Sequence, residues 1–125
     1  LNAKSIAYSA SASGTYLSTE LFQRLGVAEQ IKDKATKIYS ERVGTVVARG
    51  DAEIGFQQVS ELLPFKELDY VGALPDEVQQ RVFFSAGVAV GAQNPEAARH
   101  LIRFLAAPAA AAIVRSTGME PAAAR

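Results

Sequence analysis

The sequence predicts a mostly parallel α/β fold, with one sheet covered by helices on both faces. Short apolar runs bounded by small polar residues alternate along the chain with segments whose apolar residues recur at helical spacing. Parallel strands need a crossover connection, usually a helix, and this alternation supplies one after each early strand. The composition agrees, because 49% of the 125 residues are hydrophobic and 21% are charged, as in globular domains.

The first strand is predicted at residues 5–9, where the run SIAYS is bounded by small polar residues. A loop of small residues then leads into the first helix, for which Ser13 is the expected N-cap and Gly26 the expected C-cap glycine. A strand, a loop and a helix in this order form half of a βαβ unit. The apolar residues at helical spacing are Leu17, Leu21, Phe22 and Leu25.

Three more strands are expected before the chain reaches residue 75. They are KIYS at 37–40, EIGFQQ at 53–58 and LDYVG at 68–72. Between the first two of these, a short helix with an apolar face of valines is expected to end at Gly50.

The last third of the chain is predicted to contain a long apolar strand at residues 81–91, followed by two helices. Asn94 is the expected cap of the first helix, with Pro95 in its first turn. The second helix opens at Pro108 and runs to about Thr117. The stripe of the first helix expected to be buried consists of Ala98, Leu101, Ile102 and Leu105.

Composition and charge exclude several classes of function. Lys and Arg together number 13, as do Asp and Glu, so the basic footprint of a nucleic-acid-binding protein is absent. The sequence has no cysteine and one histidine, and we predict no metal site and no cofactor. That histidine, His100, is interpreted as a helix surface residue rather than a general base. No apolar run approaches the roughly 18 residues of a membrane span.

Residues 9–16 (SASASGTY) are predicted to form a ligand-binding loop at the start of the first helix. Hydroxyl groups and free backbone N–H groups meet there, and the helix dipole favours an anion. In open α/β sheets, ligands collect at the carboxyl ends of the strands, where this loop must lie. The alternative is an ordinary helix N-cap in which the other serines have no ligand-binding role. The candidate ligand-binding residues are Ser11, Ser13, Gly14, Thr15 and Tyr16.

Two further polar loops are expected at the same edge. Ser40 and Arg42 follow the second strand, and Gln57 and Gln58 end the third. Adjacent strand residues face opposite ways, so one glutamine can contact a ligand while the other braces a neighbouring loop. Arg42 can pair with a carboxylate or oxyanion, or it can be a solvated residue at a helix start.

Several stretches resemble a known family. Residues 47–62 (VARGDAEIGFQQVSEL) are similar to the signature ARGEAEIGFQQISEL of the molybdate-binding-like bacterial extracellular solute-binding proteins, which have the type II periplasmic binding fold. The loop at 9–16 resembles the start of the second lobe in these proteins. The resemblance extends over essentially the whole chain, through VGALP at 71–75, FSAGV at 84–88, PEAA at 95–98 and STGMEP at 116–121.

This resemblance implies two α/β lobes that close on a ligand. Residues 1–80 would form the second lobe, and residues 81–125 the crossover strand and the helix pair that complete the first. The chain would then start partway through a larger periplasmic protein, whose partners are the membrane subunits of an ABC importer. A fragment of this kind is expected to self-associate through its uncovered apolar faces.

The resemblance also implies a small anionic ligand, either a molybdate-like oxyanion or an organic acid. The oxyanion contacts of the molybdate binders correspond to Ser13, Ser40 and Gln58, and the last is usually tyrosine in those proteins. The same branch includes an aconitate isomerase, so an isomerase acting on an unsaturated tricarboxylate is the alternative function. An isomerase needs an acid/base residue within reach of the ligand, and Glu41 and Tyr16 are the best candidates that the chain offers. We therefore expect the base to lie in the missing lobe, and we assign no catalytic residue in this chain. The effector domain of a transcription regulator shares the architecture, but residues 55–58 argue against it.

Overall fold

Three parallel strands in the order β2-β1-β3 organise the first part of the chain. In the computed structural model, which describes residues 2–122, these strands are β1 (Ile6–Ser9), β2 (Ala35–Ile38) and β3 (Ile54–Phe56). The central strand β1 pairs in parallel with both others. The prediction of a parallel α/β fold is confirmed.

Helices connect each strand to the next. The structure divides into two units, Leu1–Val82 and Phe83–Arg125, and the sheet belongs to the first. The helical segments of this unit are α1 (Ala12–Tyr16), a π-helical turn (Leu17–Leu21), α2 (Phe22–Arg24), α3 (Ala28–Ile31), α4 (Val43–Ala48) and α5 (Val59–Leu62).

The sheet carries an apolar cluster on each face. Side chains alternate along β1, so Ile6 enters one cluster and Ala7 the other. Both crossovers therefore bury apolar surface against the same central strand, which explains why β1 is the best covered of the three. The first cluster consists of Ile6, Leu17, Leu21, Phe22 and Ile31, and the second of Ala7, Val43, Val46 and Ala52.

The first helical run covers residues 12–24 without a break, although its middle turn is π-helical. The Ser18 hydroxyl donates to the Gly14 carbonyl at 2.9 Å, and the Thr19 hydroxyl donates to the Thr15 carbonyl at 2.8 Å. These bonds compete with the backbone for its acceptors, which accounts for the widened turn. The run ends at the predicted position, with Gly26 at a φ of 66°.

The predicted N-cap of this run is wrong by two residues. Ser11 has the extended backbone of an N-cap, whereas Ser13 lies inside α1. Neither serine caps the helix with its side chain, because their hydroxyls bond to each other and to Ser9. The prediction treats Ser13 as a local cap and misses this competing contact with the end of β1.

Two predicted strands are absent. Residues 68–72 and 81–91 have no regular strand structure, and β2 covers 35–38 rather than 37–40. A strand needs a hydrogen-bonding partner as well as an apolar run, and neither segment is paired within the described part of the chain. The bounds of β2 follow from its register, since Ser9 at the end of β1 pairs with Ile38.

The described part of the second unit, residues 83–122, contains two α-helices. They are α6 (Pro95–Ala106) and α7 (Ala111–Ser116), and a 3-10 turn (Pro108–Ala110) precedes α7. The Ala97 amide donates to the Asn94 Oδ1 atom at 3.1 Å, which confirms the predicted helix start. The expected burial of the α6 stripe is wrong for Leu101 and Leu105, which are 58% and 54% exposed. Ala98 and Ile102, on the same stripe, are half-buried.

No single helix among residues 2–122 is long and apolar enough to cross a membrane. The helices at 95–106 and 108–116 reach that length and composition only as a pair, and the pair is bent by 57°.

Candidate functional site

Each strand of the sheet ends in a polar loop that leads into the start of a helix. Because the strands are parallel, the three loops emerge at one edge of the sheet, where ligands of α/β proteins collect. Two hydrogen bonds connect the loops. The Ala10 amide donates to the Ile38 carbonyl at 2.9 Å, and the Val43 amide donates to Gln57 Oε1 at 2.9 Å.

Three serine hydroxyls form a closed cluster at the end of β1. The Oγ atoms of Ser9 and Ser11 are 2.7 Å apart, those of Ser11 and Ser13 3.1 Å, and those of Ser9 and Ser13 3.2 Å. We call Ser9, Ser11 and Ser13 the serine cluster. Each hydroxyl carries one donor and two acceptor positions, so the three can satisfy one another or turn their donors towards an anion.

The serine cluster lies at the amino end of the helical run 12–24. Thr15 is the first residue whose amide donates back into the run, to the Ser11 carbonyl at 2.9 Å. By helix geometry, the amides that precede it in the first turn have no intrahelical acceptor, and the positive end of the helix dipole lies here. Hydroxyl and amide donors are therefore adjacent at this point.

Gly14 allows the helix to approach the strand this closely. A Cβ atom built on Gly14 would lie 1.6 Å from the Ser9 carbonyl oxygen and 2.7 Å from its carbonyl carbon. No side chain fits at that distance. The sequence predicts Gly14 as a ligand-binding residue, and in the structure it contacts the backbone of Ser9.

Thr15 and Tyr16 line a cleft whose lining does not include the serine cluster. The Tyr16 hydroxyl donates to the Val78 carbonyl at 2.7 Å, and this bond ties residues 74–82 to the first helix. Leu74 and Val78 also pack against the apolar cluster on this face of the sheet. The cleft has a volume of about 470 Å³ and is lined by Ala12, Thr15, Tyr16, Thr19, Glu20, Gln80, Arg81 and Val82.

Ser40 and Arg42 lie in the loop between β2 and α4, and both are exposed. Arg42 is the N-cap residue of α4 and makes no ion pair within residues 2–122. The arginines elsewhere in the first unit are paired: Arg24 with Glu20, Arg49 with Glu41 and Asp51, and Arg81 with Asp76. The guanidinium of Arg42 therefore remains available to an anion.

Between Ser40 and Arg42, Glu41 is held by an ion-pair network. The Arg49 guanidinium donates to both Glu41 carboxylate oxygens, at 3.0 and 3.1 Å, and to Asp51 at 2.7 Å. The hydrogen bonds from Arg49 lower the pKa of Glu41. The same network raises the pKa of Arg49. A carboxylate with a lowered pKa is a weak base, so Glu41 is poorly suited to accept a proton from a substrate.

The two adjacent glutamines have different surroundings. Gln57 uses both ends of its amide within the protein, since it accepts from the Val43 amide and donates to the Glu61 carboxylate. Gln58 is the N-cap residue of α5, and its side chain makes no hydrogen bond to any described residue. Gln57 is thus the bracing residue of the pair, and Gln58 is the residue whose amide is free.

The sequence interpretation misses two polar contacts at this edge. Glu61 lies four residues after Gln57, but Gln57 ends the predicted strand at 53–58 and precedes α5, so helical spacing does not indicate this contact. The link between Glu41 and Arg49 spans the length of α4, and no local pattern indicates it.

The comparisons with known proteins agree with the resemblance predicted from the sequence. A model of the bacterial extracellular solute-binding proteins matches residues 2–120. The chain belongs to this family of extracellular solute-binding proteins. The solute-binding chain is similar to an aconitate isomerase from a Pseudomonas species, with 45% identity over 119 residues. That match covers 95% of the chain and 45% of the relative, so the chain spans less than half of the relative's length. No solved structure gives a significant match.

Proposed function

We propose that this solute-binding chain forms one wall of a cleft for a small organic polycarboxylate, with the serine cluster, Ser40, Arg42 and Gln58 as its ligand contacts. The observation that carries this proposal is the serine cluster at the start of the helical run 12–24. Its three hydroxyls bond to one another, and none of them has a charged partner among residues 2–122. An entering anion exchanges neutral hydroxyl–hydroxyl bonds for charge-assisted ones, which are roughly twice as strong.

Two observations favour a carboxylate over molybdate as the ligand. The relative that is 45% identical is named for aconitate, an unsaturated tricarboxylate. Gln58 stands where the resemblance to molybdate binders implies tyrosine. A polycarboxylate is also larger than a tetrahedral oxyanion and can reach several loops at once, with a bidentate contact to Arg42.

Capture of the organic acid for an ABC importer is the first candidate activity. The protein would work in the periplasm and deliver its ligand to the membrane subunits of the importer. The described residues at this edge support a binding role, because their acid/base candidates are engaged: Glu41 with Arg49, and Tyr16 with the Val78 carbonyl.

Isomerisation of an unsaturated tricarboxylate is the second candidate activity, favoured by the same relative. This reaction moves a proton from one carbon to another and needs an acid/base group near the ligand. We expect that group to come from residues outside this chain, with this wall holding the carboxylates. The assay is NMR detection of trans-aconitate formed from cis-aconitate by the full-length protein that carries this sequence.

Calorimetry on that full-length protein tests the binding proposal. We expect affinity for cis-aconitate, trans-aconitate or citrate, and weaker or no binding of molybdate and sulfate. Arg42→Ala should weaken carboxylate binding about tenfold or more, the cost of a lost charge-assisted bond. Arg24→Ala is the matched control, because Arg24 is an exposed arginine paired with Glu20 on a helix. Tight molybdate binding that does not depend on Arg42 would refute the proposal.

A further inference from the structure

The amino terminus of α4 is capped by a residue from another element. Its own N-cap residue, Arg42, has no acceptor in its side chain and makes no side-chain capping bond. The next residue, Val43, is completely buried, so its amide has no access to water. Gln57 at the end of β3 supplies the missing acceptor, with its Oε1 atom 2.9 Å from the Val43 amide nitrogen.

The other end of the same side-chain amide is also engaged. Gln57 Nε2 donates to the Glu61 carboxylate on α5. The reverse orientation would set the NH₂ group against the Val43 amide and the carbonyl oxygen against a carboxylate. The two partners therefore hold the Gln57 side chain in one orientation.

The two hydrogen bonds that link Val43, Gln57 and Glu61 form a bridge. This bridge joins two of the three loops at the carboxyl ends of the strands. Arg42 immediately precedes Val43, and Gln58 immediately follows Gln57, so each proposed ligand contact is adjacent to an atom of the bridge. We propose that Gln57 is a positioning residue: it fixes the start of α4 against the start of α5 and thereby sets the spacing between Arg42 and Gln58. This inference rests on the proposed binding function and reassigns Gln57 from ligand contact to brace.

An exchange of the two side chains tests the proposal. In Gln57→Glu, the new carboxylate still accepts from Val43 but faces the Glu61 carboxylate, and like charges at this spacing repel. We expect its affinity for cis-aconitate, measured by calorimetry, to fall about five- to tenfold. The double variant Gln57→Glu with Glu61→Gln keeps the bond from the Val43 amide and restores the bond between residues 57 and 61 with donor and acceptor reversed, so it should bind within about twofold of wild type.

Gln30→Glu is the matched control, since Gln30 is an exposed glutamine whose amide bonds to the Gly26 carbonyl, away from the edge. It should bind like wild type. Thermal melts report folding separately. If Gln57→Glu does not fold, Glu61→Ala breaks only the α5 side of the bridge and should still weaken binding.

Three outcomes are distinguishable. Wild-type affinity in Gln57→Glu, or a double variant that folds but does not regain affinity, overturns the positioning role while leaving the proposed function intact. A wild-type protein that binds no carboxylate overturns the proposed function instead. In that case the bridge is still measured by NMR, where the Val43 amide resonance should shift in Gln57→Ala, which removes its acceptor, and should keep its wild-type position in Gln30→Glu.

Discussion

At the scale of single residues, Gly14 controls the distance between the end of β1 and the first helix. Its missing side chain leaves room for the Ser9 carbonyl oxygen, which a Cβ atom would approach to 1.6 Å. We expect Gly14→Ala to separate the two segments and destabilise the protein by roughly 1–3 kcal/mol, the usual cost of overpacking. Urea unfolding measures the free energy, and the loosened serine cluster should lower carboxylate affinity in the same variant.

Gly87→Ala is the matched control for this substitution. A Cβ atom on Gly87 would meet nothing within 4 Å, and its φ lies outside the left-handed region. Its effect on the unfolding free energy should stay within about 0.5 kcal/mol, as is usual for surface positions. Equal effects of the two substitutions would contradict a special packing role for Gly14.

Glu41 makes stability depend on pH in a defined direction. Arg49 lowers the pKa of Glu41 from its ordinary value of 4.5. A carboxyl whose pKa is lower in the folded state stabilises the protein above 4.5, and this contribution disappears as the pH falls through the folded pKa. Glu41→Gln should therefore be less stable than wild type at neutral pH, and the difference should vanish in acid.

The effect of Glu41 should be small, because the pair with Arg49 is exposed and salt screens it. Unfolding curves of wild type and Glu41→Gln between pH 2 and 7, at low and high salt, provide the measurement. A difference that grows towards low pH would contradict the assignment.

At the scale of elements, the βα units of the first part of the chain could be predicted because each has its own local signals. The apolar run of β1 and the helical spacing that leads to Gly26 identify the first unit, and Gly50 marks the end of α4 in the same way. The predicted strands at 68–72 and 81–91 are wrong because an apolar run indicates burial but does not identify a pairing partner. For Gln57 and Gln58, strand alternation predicts that the two side chains point to opposite faces of the sheet. It does not predict which of the two holds a neighbouring loop and which can contact a ligand.

The start of α6 is the clearest local signal in the second unit. The Asn94 side chain accepts from the Ala97 amide at the first turn. Asn94→Ala should lower the stability of this helix by about 1 kcal/mol, whereas Asn94→Asp should preserve it, since both Asn and Asp are good N-caps. Amide hydrogen exchange across residues 97–106 measures the effect. Equal protection of these amides from exchange in Asn94→Ala and Asn94→Asp would contradict the capping role of Asn94.

At the scale of the whole molecule, the buried apolar residues are distributed unevenly. Nine of the ten lie in the first unit, and Ala110 is the one in the described part of the second. Exposed apolar side chains are numerous there: Phe83, Phe84, Val90, Leu101, Phe104, Leu105 and Ile113. Burying a side chain of this size is worth roughly 1.5–3 kcal/mol, so an uncovered group of them favours association.

We therefore expect the isolated 125-residue chain to self-associate through its second unit. Sedimentation velocity across a concentration series measures the oligomeric state. A variant with Phe84→Ser and Leu101→Ser should shift towards monomer while the first unit keeps its sheet. Ile6→Ser, in the core of the first unit, is the contrasting control and should unfold that unit. A strict monomer at high concentration would contradict the expectation.

The affinity of the isolated chain, compared with that of the full-length protein, tests whether the proposed cleft has a second wall. The chain spans 45% of the length of its aconitate isomerase relative, so further contacts to the ligand are expected from outside it. Each charge-assisted hydrogen bond contributes on the order of 1.5–3 kcal/mol, and losing two of them weakens binding at least about a hundredfold. We expect calorimetry with cis-aconitate to show this difference, measured at concentrations where the chain is monomeric. Arg42→Ala should weaken binding further in both proteins, since Arg42 belongs to the wall that both contain. Equal affinities would mean that this chain alone supplies the ligand contacts, and that the serine cluster, Arg42 and Gln58 form a complete site.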